Sequence, residues 1–231
     1  MKTIRTFFTS EQIIFILLFT VLGLIALQVP LTQLVGSKVK FTLYDVFAPI
    51  APAFIGTIPG IIAVFLMQLV NFFIHGAQVV DTGTLIRFFP MLFAALYFGQ
   101  KSHWNIIVPF VAIIAFVIHP VGRTVWYFAL YWTIPMIAYV FRDRWVLARS
   151  LGATFSAHAV GGALWIYAFN IPAKAWISLI PIVAIERIVF GVGIALMYVV
   201  INNVLSFLAK KQWLTLPLVI DRRVVFGFAM S

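Results

Sequence analysis

Apolar runs broken by polar, proline or glycine stretches divide the chain into eight segments, near residues 11–31, 44–57, 59–75, 84–99, 105–119, 124–141, 147–169 and 176–208. Runs of this kind predict helices, and the breaks between them predict turns. A membrane-crossing helix needs about 20 apolar residues. The expected fold is therefore all-α: a polytopic membrane helix bundle of six to eight transmembrane helices, forming one domain over residues 1–231. The segments at 44–57 and 59–75 are short and meet at "GTIPG". A re-entrant pair is the alternative there, allowed only where protein covers the backbone. Either choice leaves both chain ends on the same side.

Composition strengthens the membrane reading. The chain is 64% hydrophobic and only 10% charged, with a mean hydropathy of +1.10, whereas soluble domains carry about 25% charge. Little length remains for a soluble catalytic domain. With no cysteine in the chain, disulfides, thiolate nucleophiles and iron–sulfur clusters are excluded together. The apolar run from Ile13 to Val29 follows Lys2 and Arg5, but it is long and "ALQVPLTQ" lacks a small-x-small cleavage site. An uncleaved first span is expected.

The formal charge of +10 could point to nucleic acid, but the bases gather in short loops and tails, as positive-inside sorting requires. Lys2, Arg5, Lys101, Arg142, Arg144, Arg149, Lys210, Lys211, Arg222 and Arg223 fall on one side. Lys38, Lys40, Arg123 and Lys174 fall on the other, with Arg87 and Arg187 inside helices. The reading is N-in and C-in, with 1–10 cytoplasmic and 209–231 a cytoplasmic interfacial tail anchored by Trp213. The expected location is the cell membrane. Lys38, Lys40, Tyr44, Asp45, His75, Asp81, Arg87, His119, Arg123, Trp126, Tyr127, Trp165 and Lys174 then collect at the outer face, as an interfacial belt or as a site.

Two buried features could carry chemistry. In "AIERIVFG", Glu186 and Arg187 are adjacent within an apolar helix, at a depth where a charge costs a few kcal/mol and needs a partner. Neighbouring helical residues point about 100° apart, so each charge is expected to find a separate partner. Glu186 either pairs with Arg87 or lines a pocket facing His158, and Arg187 is expected to meet an outer-side aspartate such as Asp81. In "SAHAVGGALWIYAF", Ala153, Ala157 and Gly161 form a ridge of small residues allowing close helix approach. His158 there overlooks Gly162 as a packing residue or a ligand contact. The four histidines and six carboxylates show no metal spacing or acid–base pair, and no nucleotide motif is visible. Neither an enzyme nor a cofactor is expected.

"FTLYDVFAPIAPAFIGTIPGIIAVFLMQLVNFF" (residues 41–73) and "GATFSAHAVGGALWIYAF" (residues 152–169) resemble the substrate-binding S subunits of energy-coupling-factor vitamin transporters. The resemblance covers about two-thirds of the chain. It implies a membrane-embedded binding subunit for a small vitamin-like or heterocyclic nutrient, energised by separate ATPase subunits through a transmembrane coupling subunit, among membrane lipids. His158 and Gly162 match the spacing of a pocket motif in the thiamine-binding members, Trp165 lies within one residue of its aromatic, and Tyr131 resembles a second aromatic. Where those members carry an acid beside that aromatic, this chain has Leu130, so thiamine is not implied. The small-residue docking motif of their first helix is also missing, and the chain has two helices more. The expected roles are stacking for Trp126, Tyr131 and Trp165, polar recognition for His158 and Glu186, whose buried acid would select a cation or NH donor, and gating for a loop containing Lys38, Tyr44 and Asp45. A self-sufficient secondary transporter or channel using Glu186 and His158 is the alternative, and an intramembrane enzyme or assembly factor the third.

Overall fold

The computed structural model describes residues 9–33, 40–74, 82–213 and 218–226; Lys38, His75 and Asp81 lie outside them. The described chain is a helical bundle. Its helices are α1 (Ser10–Leu27), α2 (Tyr44–Phe47), α3 (Pro52–Ile55), α4 (Thr57–Ile74), α5 (Thr82–Gly99), α6 (Trp104–Ile118), α7 (Pro120–Thr124), α8 (Ile134–Phe141), α9 (Val146–Ala168) and α10 (Ala173–Lys210). Most boundaries fall within three residues of the apolar runs. One element departs from an all-α fold: Pro30–Gln33 (β1) and Lys40–Thr42 (β2) pair antiparallel. This short ladder satisfies backbone groups between α1 and α2, which a two-sided apolar pattern does not announce.

Among the described residues, three helices are long and apolar enough to cross a membrane: α1, α4 and α10. The outward face of α1 is itself apolar, with Ile13, Leu17, Val21 and Ile25 all exposed. The bundle runs up and down. Gly23 of α1 faces Met67 of α4 and Gln28 Nε2 donates to Asn71 Oδ1 at 3.4 Å, so α1 and α4 are parallel. Tyr97 of α5 abuts Gly152 of α9, and Pro90 abuts Gly161, so α5 and α9 are antiparallel. The small-residue ridge on α9 is thus what seats α5 against it. These directions put residues 10 and 210 at one end of the bundle, here the tail end, and the β ladder at the other, the hairpin end.

Two of the expected helices are broken. The run from Tyr44 to Ile55 is divided into α2, a 3-10 turn at Ala48–Ile50 and α3, because Pro49 and Pro52 cannot donate to a continuous ladder. All of it except Asp45 is buried. It ends at Gly56, whose φ of +105° is open to glycine and strained for other residues. The chain then reverses so tightly that a Cβ on Gly60 would collide with the backbone of Pro52. The run from 124 to 141 likewise opens as a 3-10 helix, Trp126–Thr133, before becoming α8. Eight residues of 3-10 helix are unusual, because the geometry is rarely sustained beyond three or four.

The tail end is tied by arginines. Helix α5 ends there with carbonyls that have no helical partner. Arg142 donates to the carbonyls of Tyr97 at 2.9 Å and Phe98 at 3.2 Å, Arg149 also donates to Phe98, and Asn105 Nδ2 donates to Tyr97 and Gln100. Arg142 is buried, so a residue counted from sequence as a loop cation works as a helix cap. The segment 218–226 folds across this end. Val219 N–H donates to the Phe54 carbonyl at 2.8 Å, Asn202 and Asp221 exchange bonds of 3.0 and 2.9 Å, and Asn203 brackets the strap at Val224 and Phe226. The described part of the tail is hydrogen-bonded to α10 and α3.

Candidate binding site at the centre of the bundle

Helix α9 presents Ser150, Thr154, His158 and Gly162 at four-residue intervals, which align on one face. Against this face lies Arg187 of α10, about 20 Å from the start of that helix at 1.5 Å per residue. Arg187 is 8% exposed. One of its terminal nitrogens lies 3.6 Å from Glu186 Oε2, and the other donates to Thr154 Oγ1 at 3.4 Å. Its guanidinium stands over the rings of Phe41, 5.0 Å away, and Phe190, 4.8 Å away. Asp45 is close enough for its charge to interact with that of Arg187, though no ion pair joins them within 4 Å.

This corrects the reading of "AIERIVFG". Glu186 and Arg187 do form a single local pair. Helical geometry separates their Cβ directions, but both side chains are long and bend back, so the acid reaches the guanidinium without leaving its own face. Arg187, not Glu186, is the residue turned towards α9. Arg87 is exposed on α5 and is not the partner of Glu186.

The groove expected over Gly162 is filled. Trp132, 0% exposed, lies so close that a Cβ on Gly162 would sit 2.5 Å from its ring. Its indole Nε1 donates to His158 Nδ1 at 3.0 Å. An imidazole that accepts at Nδ1 carries its proton on Nε2, so His158 is fixed in one tautomer and cannot take a second proton without breaking this bond. Phe128 completes the surround, its centroid 5.6 Å from His158 and 4.9 Å from Trp176. Tyr131 stacks towards Phe155 at 6.0 Å and donates its hydroxyl to the Ile180 carbonyl at 2.9 Å, in the turn of α10 that holds Pro181.

Thus the structure brings His158, Gly162, Tyr131, Glu186, Arg187 and Asp45 towards one region. Trp126 stands outside it, 54% exposed and in contact with Tyr127. Trp165 is partly buried nearer the hairpin end, 4.6 Å from Phe169. Tyr44, expected in a gating loop, is buried at the start of α2, its hydroxyl 3.4 Å from the Val64 carbonyl, while Asp45 Oδ2 accepts from Thr42 N at 2.7 Å. Phe41, Phe128, Trp132, Thr154, Trp176 and Phe190 were missed. Only Thr154 left a signal, its four-residue spacing from His158; the others are aromatics in apolar runs.

No family model and no solved structure matches the chain. An uncharacterized protein of Methanocaldococcus jannaschii is 25% identical to it over 181 residues, covering 69% of this chain and 60% of that relative. The chain therefore spans 60% of the length of a curated relative that it matches.

Proposed function

We propose that this protein is a cell-membrane subunit that binds a small heterocyclic nutrient for uptake, energised by ATPase subunits on other chains through a transmembrane coupling subunit. In this reading α1, α4 and α10 cross the bilayer with the remaining helices packed among them, and both ends face the cytoplasm. The observation that carries it is the Glu186–Arg187 pair, buried among Phe41, Phe190 and Thr154 midway along the bundle. In a bilayer such charges are costly and mark solute pathways. Aromatic walls with a few placed polar groups suit a ring-shaped ligand, and Phe128, Trp132 and His158 form such a wall.

A self-sufficient secondary transporter is the second reading, favoured by the broken α2–α3 run, because discontinuous helices build many such transporters' sites. There Glu186 would handle protons, since the Trp132 bond occupies Nδ1 of His158. Purified protein in proteoliposomes separates the two. The first reading expects retained small molecules by mass spectrometry, no accumulation without an ATPase module, and at least tenfold weaker retention in Glu186→Gln and His158→Ala. Accumulation by the lone chain establishes the second reading, and unchanged retention in both variants removes the site assignment.

A further inference from the structure

One face of α10 runs from the central pair to the tail end. Arg187, Gly191, Ile194, Tyr198 and Asn202 follow one another at intervals of three or four residues, so they share that face, and all are buried. From Arg187 to Asn202 the face is about 22 Å long at 1.5 Å per residue. Near its tail end it is crossed by an aromatic layer. The ring of Tyr198 lies 5.5 Å from Phe54 of α3 and 5.1 Å from Phe98 of α5, and none of the three is more than 2% exposed. Arg149 of α9 completes the layer, its guanidinium 4.2 Å from the Phe98 ring and 5.4 Å from that of Tyr198. The one polar atom on these rings, Tyr198 Oη, donates at 3.3 Å to Asp221 Oδ2, in the strap formed by residues 218–226.

The strap is held largely through its backbone. Asn202 and Asn203, 0% and 5% exposed, each accept from a strap N–H through the carboxamide oxygen and donate to a strap carbonyl through the nitrogen. Asn202 exchanges both bonds with Asp221, as a paired residue of an antiparallel sheet does. Asn203 spans the Val224 carbonyl and the Phe226 N–H, each at 2.7 Å. Val219 N–H is taken at 2.8 Å by the carbonyl of Phe54, in the layer itself, and Arg223 donates to the carbonyl of Asp143 between α8 and α9. One segment therefore joins α3, α10 and the α8–α9 turn. Apolar burial adds less, since Leu218 and Val224 pack partly on the core while Val219 and Phe226 are 62% and 52% exposed. A segment held by a few side-chain bonds over little buried apolar surface is among the first parts of a fold to open.

Resting on the uptake reading above, we infer that the tail end carries an inner gate: the layer of Phe54, Phe98 and Tyr198 closes the route from the central site to the cytoplasm, and the strap is its bolt. When the strap lifts, Tyr198 loses its tie and the layer opens while the hairpin half stays packed. Engineered thiols test this, the chain having no cysteine of its own. In lipid nanodiscs, modification by a charged, water-soluble methanethiosulfonate reagent is timed at Ile194→Cys, one helical turn from Tyr198 on the central side, and at Ile166→Cys in the hairpin half; both positions are buried. Both thiols should react slowly in the otherwise unaltered chain. Asn202→Ala/Asn203→Ala should raise the rate at Ile194→Cys at least tenfold, and Tyr198→Phe, which keeps the ring and cuts only the bond to Asp221, about threefold, with Ile166→Cys unchanged. Should the paired asparagine variant not fold, Tyr198→Phe alone decides. A missing gain in either folded variant, or an equal gain at Ile166→Cys, overturns the gate and leaves the binding reading standing; failure of the unaltered chain to retain any small molecule counts against that reading instead.

Discussion

Arginines occupy two buried regions of this molecule, and they are used differently. At the tail end Arg142 and Arg149 spend their donors on the last carbonyls of α5, where charged donors also suit the negative end of the helix dipole. Asn202, Asn203 and Asp221 continue that saturation into the strap. At the centre, Arg187 holds a neighbouring acid, one threonine and two aromatic faces, and its Nε is left over. Cations at a bundle end complete backbone structure that must be completed for the helices to stop. A cation in the middle, where the backbone is self-sufficient, completes no backbone structure. Its cost in an apolar surround sets it apart, not its unpaired Nε, which Arg142 shares.

The sharpest break in this contrast comes from Arg187. Replacing it by Gln strands Glu186 and should cost about 3–5 kcal/mol, as other severed buried pairs do, measured by denaturant unfolding in detergent micelles. The double variant Glu186→Gln/Arg187→Gln should regain most of that stability yet retain no small molecule. If it binds normally, the central arginine is as structural as the others. Arg142→Met should cost about 2 kcal/mol through two lost charge-assisted bonds, since Asn105 and Arg149 still donate to the Tyr97 and Phe98 carbonyls, with ligand affinity unchanged; a loss of affinity would join the two regions functionally.

The smallest effect belongs to the strap. Bonds from Arg223 hold the Asp221 carboxyl below its usual value. A depressed carboxylate contributes stability that is complete above its unfolded value, about pH 4, and lost as pH falls through the folded value. With Arg223 largely exposed, the contribution is about 1 kcal/mol or less. Because the chain has no native cysteine, a single spin label at Val219→Cys can report it: the label should stay immobile at pH 7 and gain mobility only below about pH 4. Asp221→Asn should be more mobile at pH 7. Release near neutral pH would show that the strap hangs on something other than this ion pair.

The apolar runs determined the helices, their order and their ends, because burying twenty apolar residues leaves the backbone few ways to satisfy itself other than helically. Glu186 and Arg187 stood out for the same reason: a charge in such a run is too expensive to be incidental. Only tertiary structure decided what lay between elements. The β ladder, the proline breaks in α2–α3 and the 3-10 start before α8 depend on which carbonyls and donors meet across the bundle. Gly162 made room, but only packing shows that Trp132 fills it. The arginines at 142, 149 and 187 are identical in sequence, and which become caps is settled by where the open end of another helix lies. Local sequence encodes how each segment satisfies its own backbone; distant segments decide which side-chain donors are used up and which are left over.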